Sequence, residues 1–566
     1  MYKKVEIDDN TSSKSRSVNN RKIIFCEYII HSIISIILAA YFTITIGITC
    51  YKLAEKYDFK LDGLVKGYSF LGGYRDFSDF QWRYYRENLG MLIVFGSIFV
   101  SIGKIIKTYF SLEILKYFYL LFGVGYAFFL HRIKMIYLIM VLIFSYLLCL
   151  NYSKLGKRVF ISITWIFCII IKITSEIYNG YSINFLDVSD FFKYPLLGWN
   201  SCFGLIMLKI ISYNMEFANV AEDKSKNFNL KDIERIMDHC KDCNKGKFCL
   251  TALKKIVCAK EEDFTFINLL IYIFYPPFYF SGPTIMYHSF IFQINNYKIN
   301  RHNDTFDKNK ILYFIRCIGI FITFETFNHF IFINAIMTNK SNSWVFEEFR
   351  KNNSYINFFY LSFNNLVFIF LKFSLIWKVA RFWGWADGIL SEENMNRCIY
   401  NNYSFEGFWR QWHRSYNVWL IRYMYIPLGG SKTKLLNTFI IFSFVALWHD
   451  LKFNLLLWAW CIYASLIPEI IIKSYFAQEK MQYLKNYMWF RYLRVFFYNI
   501  IIILMISANL IGFGIGNKEL VDALFQLLKQ TTFTRFLFII VFITPFTFTM
   551  FYIRELEKAN GIINNF

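Results

Sequence analysis

The chain has 566 residues, of which 56% are hydrophobic, 21% aromatic and only 18% charged, with a mean hydropathy of +0.35. A soluble domain carries about 25% charged residues, and many apolar runs here reach the roughly 20 residues that a helix needs to cross a bilayer, so a soluble globular protein is excluded. The net charge of +22 sits mostly in the loops between those runs. Positive-inside bias and anionic headgroups account for it there, and no RNP-like motif or separate basic domain points to nucleic acid.

Residues 1–22 are polar and include Lys3, Lys4, Lys14, Arg16, Arg21 and Lys22. The apolar run 23–50 is too long for the hydrophobic region of a signal peptide and lacks a clear cleavage site, so it predicts a first anchoring helix with the N-terminus in the cytosol. A polar, aromatic stretch at 51–87 contains Asp76-Phe77-Ser78-Asp79-Phe80-Gln81-Trp82-Arg83 and reads as an interfacial loop. Apolar runs follow at 88–103, 109–130, 133–150, 159–174 and 195–213, with short connections that favour antiparallel neighbours. Residues 215–262 read as a soluble Cys/Lys-rich loop, too short for an independent domain. The next segment, 265–294, is apolar but broken by Pro276-Pro277 and Ser281-Gly282-Pro283. Such a break predicts a re-entrant or kinked segment beside a cavity, because backbone groups freed within a membrane must be satisfied by protein or water. Further runs lie at 311–337 and 355–380, then an amphipathic stretch at 381–430, a run at 435–472 interrupted at His449-Asp450, and spans at 493–514 and 534–552. The fold class expected is all-α: a polar N-terminal tail at 1–22 and a single polytopic membrane domain over 23–566, with about eleven transmembrane or re-entrant helices.

Of twelve cysteines, most are single and lie within apolar runs, where they read as small hydrophobes. Cys240 and Cys243, with His239, Cys249 and Cys258, form a cluster with two open readings. It holds a metal or disulfide, or it is a polar loop with incidental thiols, since the later spacings lack a second CxxC. His31, His131, His288 and His329 lie in or near apolar runs and are expected to be structural. No His-Glu-x-x-His, P-loop or Gly-x-Ser-x-Gly is present, which removes support for zinc hydrolysis, nucleotide hydrolysis and a serine nucleophile elbow.

Two neighbouring segments carry candidate chemistry. Wound as one helix at about 100° per residue, 409–420 places Trp409, Trp412, Tyr416 and Trp419 on one face. Arg410, His413, Arg414 and Asn417 gather on another, with His413 and Asn417 an i,i+4 pair, and Pro427 and Gly429-Gly430 end the helix. This is either an interfacial helix, with Trp and Tyr at headgroup level and Arg on phosphates, or an active site in which Arg410 and Arg414 hold an anionic cofactor beside His413. The second segment leads from Leu435 to Trp448-His449-Asp450. About fourteen apolar residues cover only about 20 Å, short of the roughly 30 Å hydrocarbon core, which places His449 inside the span or at the end of a short helix. An ionisable residue at that depth marks function by default, the alternative being a structural histidine bonded to a neighbouring helix.

At these residues the sequence resembles the membrane-bound O-acyltransferase superfamily, and within it the Gup (glycerol uptake protein) branch, related to hedgehog acyltransferases. The matching stretches include Arg381-Phe382-Trp383-Gly384-Trp385-Ala386-Asp387-Gly388, Glu393-Asn394-Met395, Asn402-Tyr403-Ser404, Phe408 to Asn417, Arg422 to Gly430, and Leu447-Trp448-His449-Asp450. Tyr275 to Pro283 and Asp76 to Arg83 belong with them, whereas the Lys/Asn-rich loops and the cysteine cluster depart from the pattern. The resemblance implies a helical bundle around a buried tunnel, an acyl-CoA co-substrate with no permanently bound cofactor or metal, and two key positions that map onto His449 and His413. His449 would then act as general base on an acceptor hydroxyl, a task suited to a neutral imidazole near pH 7. His413, with Asn417, would orient the acceptor or stabilise the oxyanion. Arg410 and Arg414 would meet the phosphates of coenzyme A, and Asp450 joins them among the residues expected to contact substrate. The branch further implies an endoplasmic-reticulum enzyme acting on a lyso-form lipid of a glycosylphosphatidylinositol anchor. Other readings are a protein or glycerolipid acyltransferase, a glycerol transporter and a non-enzymatic scaffold.

Overall fold

Apolar runs separated by short polar connections become long helices packed side by side. The computed structural model describes residues 9–182, 189–222, 259–298, 308–337, 355–514 and 532–560, so the cluster of His239, Cys240, Cys243, Cys249 and Cys258 lies outside the described residues. The α-helices of seven or more residues among the described ones are α1 (Asp9–Lys56), α2 (Phe80–Glu87), α3 (Leu89–Tyr109), α4 (Leu112–His131), α5 (Met135–Leu150), α6 (Tyr152–Ile177), α7 (Trp199–Glu222), α8 (Phe266–Phe274) and α9 (Tyr287–Asn295). They continue with α10 (Lys308–Phe330), α11 (Tyr355–Ala386), α12 (Phe405–Gln411), α13 (Arg414–Leu420), α14 (Lys434–His449), α15 (Phe453–Phe476), α16 (Met488–Asn509) and α17 (Phe533–Ala559). Among the described residues the only sheet is a hairpin pairing β1 (Leu64–Lys66) with β2 (Tyr74–Asp76), in the stretch expected to be a loop.

Eight helical segments among the described residues are long and apolar enough to cross a membrane: 25–56, 89–109, 112–150, 152–177, 308–330, 453–476, 488–513 and 533–559. Of the other helices, α7 carries buried Lys209, Asn214 and Glu216, α8 and α9 have nine residues each, and α14 has sixteen, while the 32-residue α11 carries buried Lys372 and Lys378. Helix α1 begins at Asp9 and so takes in much of the polar N-terminal stretch, its 48 residues running about 72 Å, well beyond a bilayer core.

The stretch expected to be a soluble loop from residue 215 is helical as far as Glu222, with Met215, Glu216 and Ala218 buried. The reason is charge pairing. Glu216 accepts hydrogen bonds from Arg422 Nε (2.6 Å) and Nη2 (3.0 Å) and from the Tyr423 hydroxyl (2.6 Å), and lies 3.1 Å from His288 Nδ1. A carboxylate so surrounded belongs inside the protein, where an unpaired one would be expelled. His131 is likewise structural, as expected. Its Nδ1 donates to Leu197 O (2.7 Å), so its Nε2 accepts from the Tyr279 hydroxyl (2.7 Å).

The proline-broken segment is solved by one side chain. Pro276 and Pro277 have no N–H, so the carbonyls of Tyr272 and Ile273, four residues back, lose their helical donors. Lys209 Nζ takes both, at 3.2 Å and 3.0 Å, and is itself 2% exposed. Past the break the chain turns through Gly282 at φ +104, where a Cβ would lie 2.7 Å from that of Ala380. Beside it, Tyr275 donates to Asp387 Oδ2 (2.5 Å), which also accepts from Tyr119 (2.8 Å), while Lys107 Nζ is 3.0 Å from Asp387 Oδ1. Those contacts bind the break to the ends of α3, α4 and α11. The break expected at 265–294, in a re-entrant or kinked segment, is present as two short helices, and Phe280, Ser281 and Gly282 line a large cavity.

Lys209→Met leaves two buried carbonyls without donors. We expect a loss of about 2–5 kcal/mol, read as a clear drop in the thermal unfolding midpoint of the detergent-solubilised protein; an unchanged midpoint would remove Lys209 as the clamp.

Candidate active site

The segment from 405 to 420 is two helices, not one. Ser404 caps α12 by accepting from Gly407 N (3.0 Å), and α12 stops at Gln411. Trp412 is extended and pairs with Met395 in a single antiparallel bridge. His413 then adopts the left-handed conformation, φ +48 and ψ +48, and α13 starts at Arg414. A non-glycine residue there costs roughly 1–2 kcal/mol, although histidine is among the residues that tolerate it best. The turn is held by Asn394, whose carbonyl accepts from Arg414 N (3.2 Å) and whose Oδ1 accepts from Ser415 N (3.0 Å). Ser415 Oγ in turn accepts from Thr284 N (2.8 Å), which links the histidine turn to the proline break. The single face expected for Arg410, His413, Arg414 and Asn417 is therefore not formed, because the backbone reverses its handedness between the first and the rest.

His413 is 9% exposed. Its ring lies edge-on to Trp377 (4.3 Å between centroids) and near Tyr416 (5.3 Å) and Trp448 (6.2 Å). Its Nδ1 is sealed off with no hydrogen-bond partner, so only Nε2 is left to meet a ligand. His449 is the last residue of α14, the second of the two positions expected for it. Trp448 (4.7 Å), Phe513 (5.2 Å) and Trp458 (6.1 Å) surround the imidazole. Protein encloses this ring, yet its surface is open, because it faces an internal cavity rather than packed side chains. No described residue hydrogen-bonds its ring nitrogens. The Trp448 indole touches both imidazoles and is fixed by donating to Gly204 O (2.8 Å), where a Cβ on Gly204 would sit 3.2 Å from its Nε1.

The cavity measures about 1130 Å³ and is mostly apolar and aromatic. Along α11 its wall runs from Tyr360 to Trp377, about 25 Å of helix, and along α14 from Lys434 to His449, about 22 Å. It is thus a deep, largely apolar tunnel. At the Lys434 end lie Glu406, Arg410 and Ser431. Arg410 pairs with Glu406 (2.6 Å), which meets Lys473 (3.2 Å), which meets Glu469 (2.5 Å).

The membrane-bound O-acyltransferase family matches residues 191–515, more than half of the chain and the stretch that contains both histidines. The chain belongs to this family. Among its relatives, the membrane-bound O-acyltransferase GUP1 of Candida tropicalis is 32% identical over 86% of this chain and 80% of its own length. GUP1 of Saccharomyces cerevisiae is 31% identical over 86% and 84%. The protein-cysteine N-palmitoyltransferase HHAT of Mus musculus is more distant, 27% identical over 34% of this chain and 37% of its own. The protein is therefore a multi-pass membrane acyltransferase, of the branch and kinship that the sequence motifs suggested.

Of the residues singled out in the sequence, His449, His413, Arg410 and Asn417 all line the cavity, the two histidines beside Trp448 and Arg410 at the Lys434 end. Asn417 shares the wall with His413 but is bonded to it only through the backbone, Asn417 N donating to His413 O (3.1 Å). Arg414 is turned aside to Glu392 (3.2 Å), because the left-handed turn at His413 rotates α13. Asp450 is also outside the wall: it pairs with Lys452 (2.5 Å) and accepts from Leu451 N (2.8 Å), since the chain leaves the helix immediately after His449. Sequence reasoning missed Asn394, Trp377, Lys434 and Lys172 as site residues. Lys172 did carry a signal, being a lone cation in an apolar run. Among the described residues no group of three metal-ligating side chains is present.

Asn394→Ala removes the acceptor of a buried Ser415 N–H. It is expected to cost about 1–3 kcal/mol and to slow acyl transfer by displacing His413; wild-type stability and turnover together would show that the turn holds without it.

Proposed function

We propose that the enzyme moves a long-chain acyl group from acyl-CoA to a hydroxyl of a membrane lipid, with His449 as general base. The observation that carries this reading is the pair of imidazoles on one tunnel wall, bridged by Trp448, with an accessible ring nitrogen at His413 and an unclaimed ring at His449. His449 takes the proton of the acceptor hydroxyl, and the oxygen attacks the thioester carbonyl carbon. As the C–S bond breaks, the thiolate of coenzyme A receives the proton from the imidazolium, so the base is regenerated. His413, through Nε2, orients the acceptor, with Asn417 beside it on the wall. The acyl chain lies in the apolar tunnel. Arg410 and Lys434 meet the phosphates of coenzyme A at the rim, where Arg410 is held ready by Glu406. Arg414 and Asp450 have no part in this arrangement, since Glu392 and Lys452 occupy them.

For the acceptor, likeness to the GUP1 proteins over most of the chain favours a lyso-form lipid of a glycosylphosphatidylinositol anchor, handled in the endoplasmic reticulum membrane. Protein acylation, the activity named for HHAT, has the support of only a third of the chain.

The test is transfer of labelled palmitoyl-CoA to lysophosphatidylinositol by the purified, full-length enzyme. His449→Ala is expected to lower turnover by at least about 100-fold while the protein stays monodisperse; transfer at the wild-type rate would end the assignment. Glycerol flux into proteoliposomes that survives this substitution would instead favour a transporter. Arg410→Gln combined with Lys434→Gln is expected to raise KM for palmitoyl-CoA about tenfold with kcat little changed, as loss of uniform binding should. An unchanged KM would place the phosphates elsewhere.

A further inference from the structure

Four cations line the cavity among the described residues: Lys172, Lys372, Arg410 and Lys434. Three are accounted for. Lys372 donates to Asp79 Oδ2 (2.8 Å) and Gln81 Oε1 (3.1 Å), Arg410 is paired with Glu406, and Lys434 is at the far end of α14, about 22 Å along the helix from His449. Lys172 differs. It sits in the last third of a membrane-crossing helix, α6, its side chain is 8% exposed, and it lines the cavity.

The packing of α6 places Lys172 at the level of His449. Trp165 on α6 contacts Trp419 (5.9 Å) and Phe444 (5.6 Å). Lys172 is seven residues beyond Trp165, about 10 Å, and His449 is five beyond Phe444, about 7.5 Å. Among the described residues Lys172 Nζ makes one hydrogen bond, to Glu176 Oε1 (2.5 Å), out of the three N–H groups an ammonium carries. Two donors remain at the wall of the tunnel. A partly buried ion pair of this kind, with the Glu176 side chain 25% exposed, is weak evidence for stability, so its presence at the cavity calls for another explanation.

We propose that Lys172 is the cation that stabilises the oxyanion on the thioester carbonyl during acyl transfer at His449, with Glu176 holding it in place. The proposal rests on the acyl-transfer reading above. As the acceptor oxygen bonds to the carbonyl carbon, the C=O electron pair moves onto oxygen, and the two remaining N–H groups of Lys172 donate to it. When the C–S bond breaks, the pair returns to the carbonyl and Lys172 keeps all its protons. A fixed donor aimed at charge that develops only in the transition state raises kcat more than it lowers KM. His413, with a single ring nitrogen available, brings no net positive charge of its own to this task.

The experiment compares full-length wild type, Lys172→Met, Lys172→Arg, the double variant Lys172→Met/Glu176→Gln and His449→Ala, with palmitoyl-CoA and lysophosphatidylinositol as probes. Lys172→Met is expected to lower kcat about 100-fold with KM for palmitoyl-CoA within about twofold, and Lys172→Arg to recover about tenfold of that loss. Lys172→Met alone leaves the partly buried Glu176 carboxylate uncompensated, so its folding is at risk. The double variant removes both charges and restores stability, yet its kcat stays about 100-fold low. Wild-type kcat in a folded double variant would show that Lys172 serves only to neutralise Glu176, and would overturn the proposal. If His449→Ala is inactive while the double variant is fully active, Lys172 alone is misassigned. If His449→Ala transfers acyl groups at the wild-type rate, the reading of the site itself falls.

Discussion

Two hydrogen bonds from Lys209 to the carbonyls of Tyr272 and Ile273 hold together the region on which the site depends. In a bilayer no water is at hand to satisfy a freed backbone group, so a chain that breaks a helix must supply the missing donors itself. Pro276 and Pro277 remove two, and one buried ammonium replaces both. Because the break is thereby tolerated, the chain turns at Gly282 and presents Thr284 N to Ser415. That bond, with Asn394, sets the left-handed turn on which His413 projects. The strain at His413 is therefore carried by a hydrogen-bonded relay that starts at a proline pair some 140 residues away in the chain.

A second constraint is that charge within the membrane must be matched. Asp387 is met by Lys107, Tyr119 and Tyr275, Glu216 by Arg422, Tyr423 and His288, and Glu325 by Arg75 and Arg86. Each cluster joins segments distant in sequence and pairs its carboxylate within the protein. The two candidate histidines stand apart from these clusters: Nδ1 of His413 has no partner, and the His449 ring faces the cavity with no described residue bonded to its nitrogens. Aromatic rings take the place of polar partners: Trp377, Trp448, Trp458 and Phe513 fix the imidazoles by shape and keep the surroundings poor in water.

Much of the candidate site was legible in the sequence because its signals are local. An ionisable residue ending a run of apolar residues marks His449, and the Trp/Arg/His pattern marks the stretch around His413. Arg414 and Asp450 were drawn in by the same local reasoning, and the structure turns both away. Helical periodicity assumes one uninterrupted helix, and a single left-handed residue between Trp412 and Arg414 changes the direction of everything after it. Nothing in the spacing of 409–420 announces that turn, since its cause is Asn394, held nearby through the bridge between Met395 and Trp412.

Composition and hydropathy alone determine that this chain is a polytopic helical membrane protein, because the bilayer admits few other solutions for runs of this length. The proline pair alone determines that one segment is broken, because no residue can donate an N–H it lacks. Tertiary structure decided which lysine mends that break, and that α14 is a short helix ending at His449 rather than a full span. It also decided which of the charged residues near the histidines face the tunnel. Those outcomes depend on contacts between helices far apart in sequence, where the free energy of satisfying one buried polar group is settled by whichever partner the packing brings within about 3 Å.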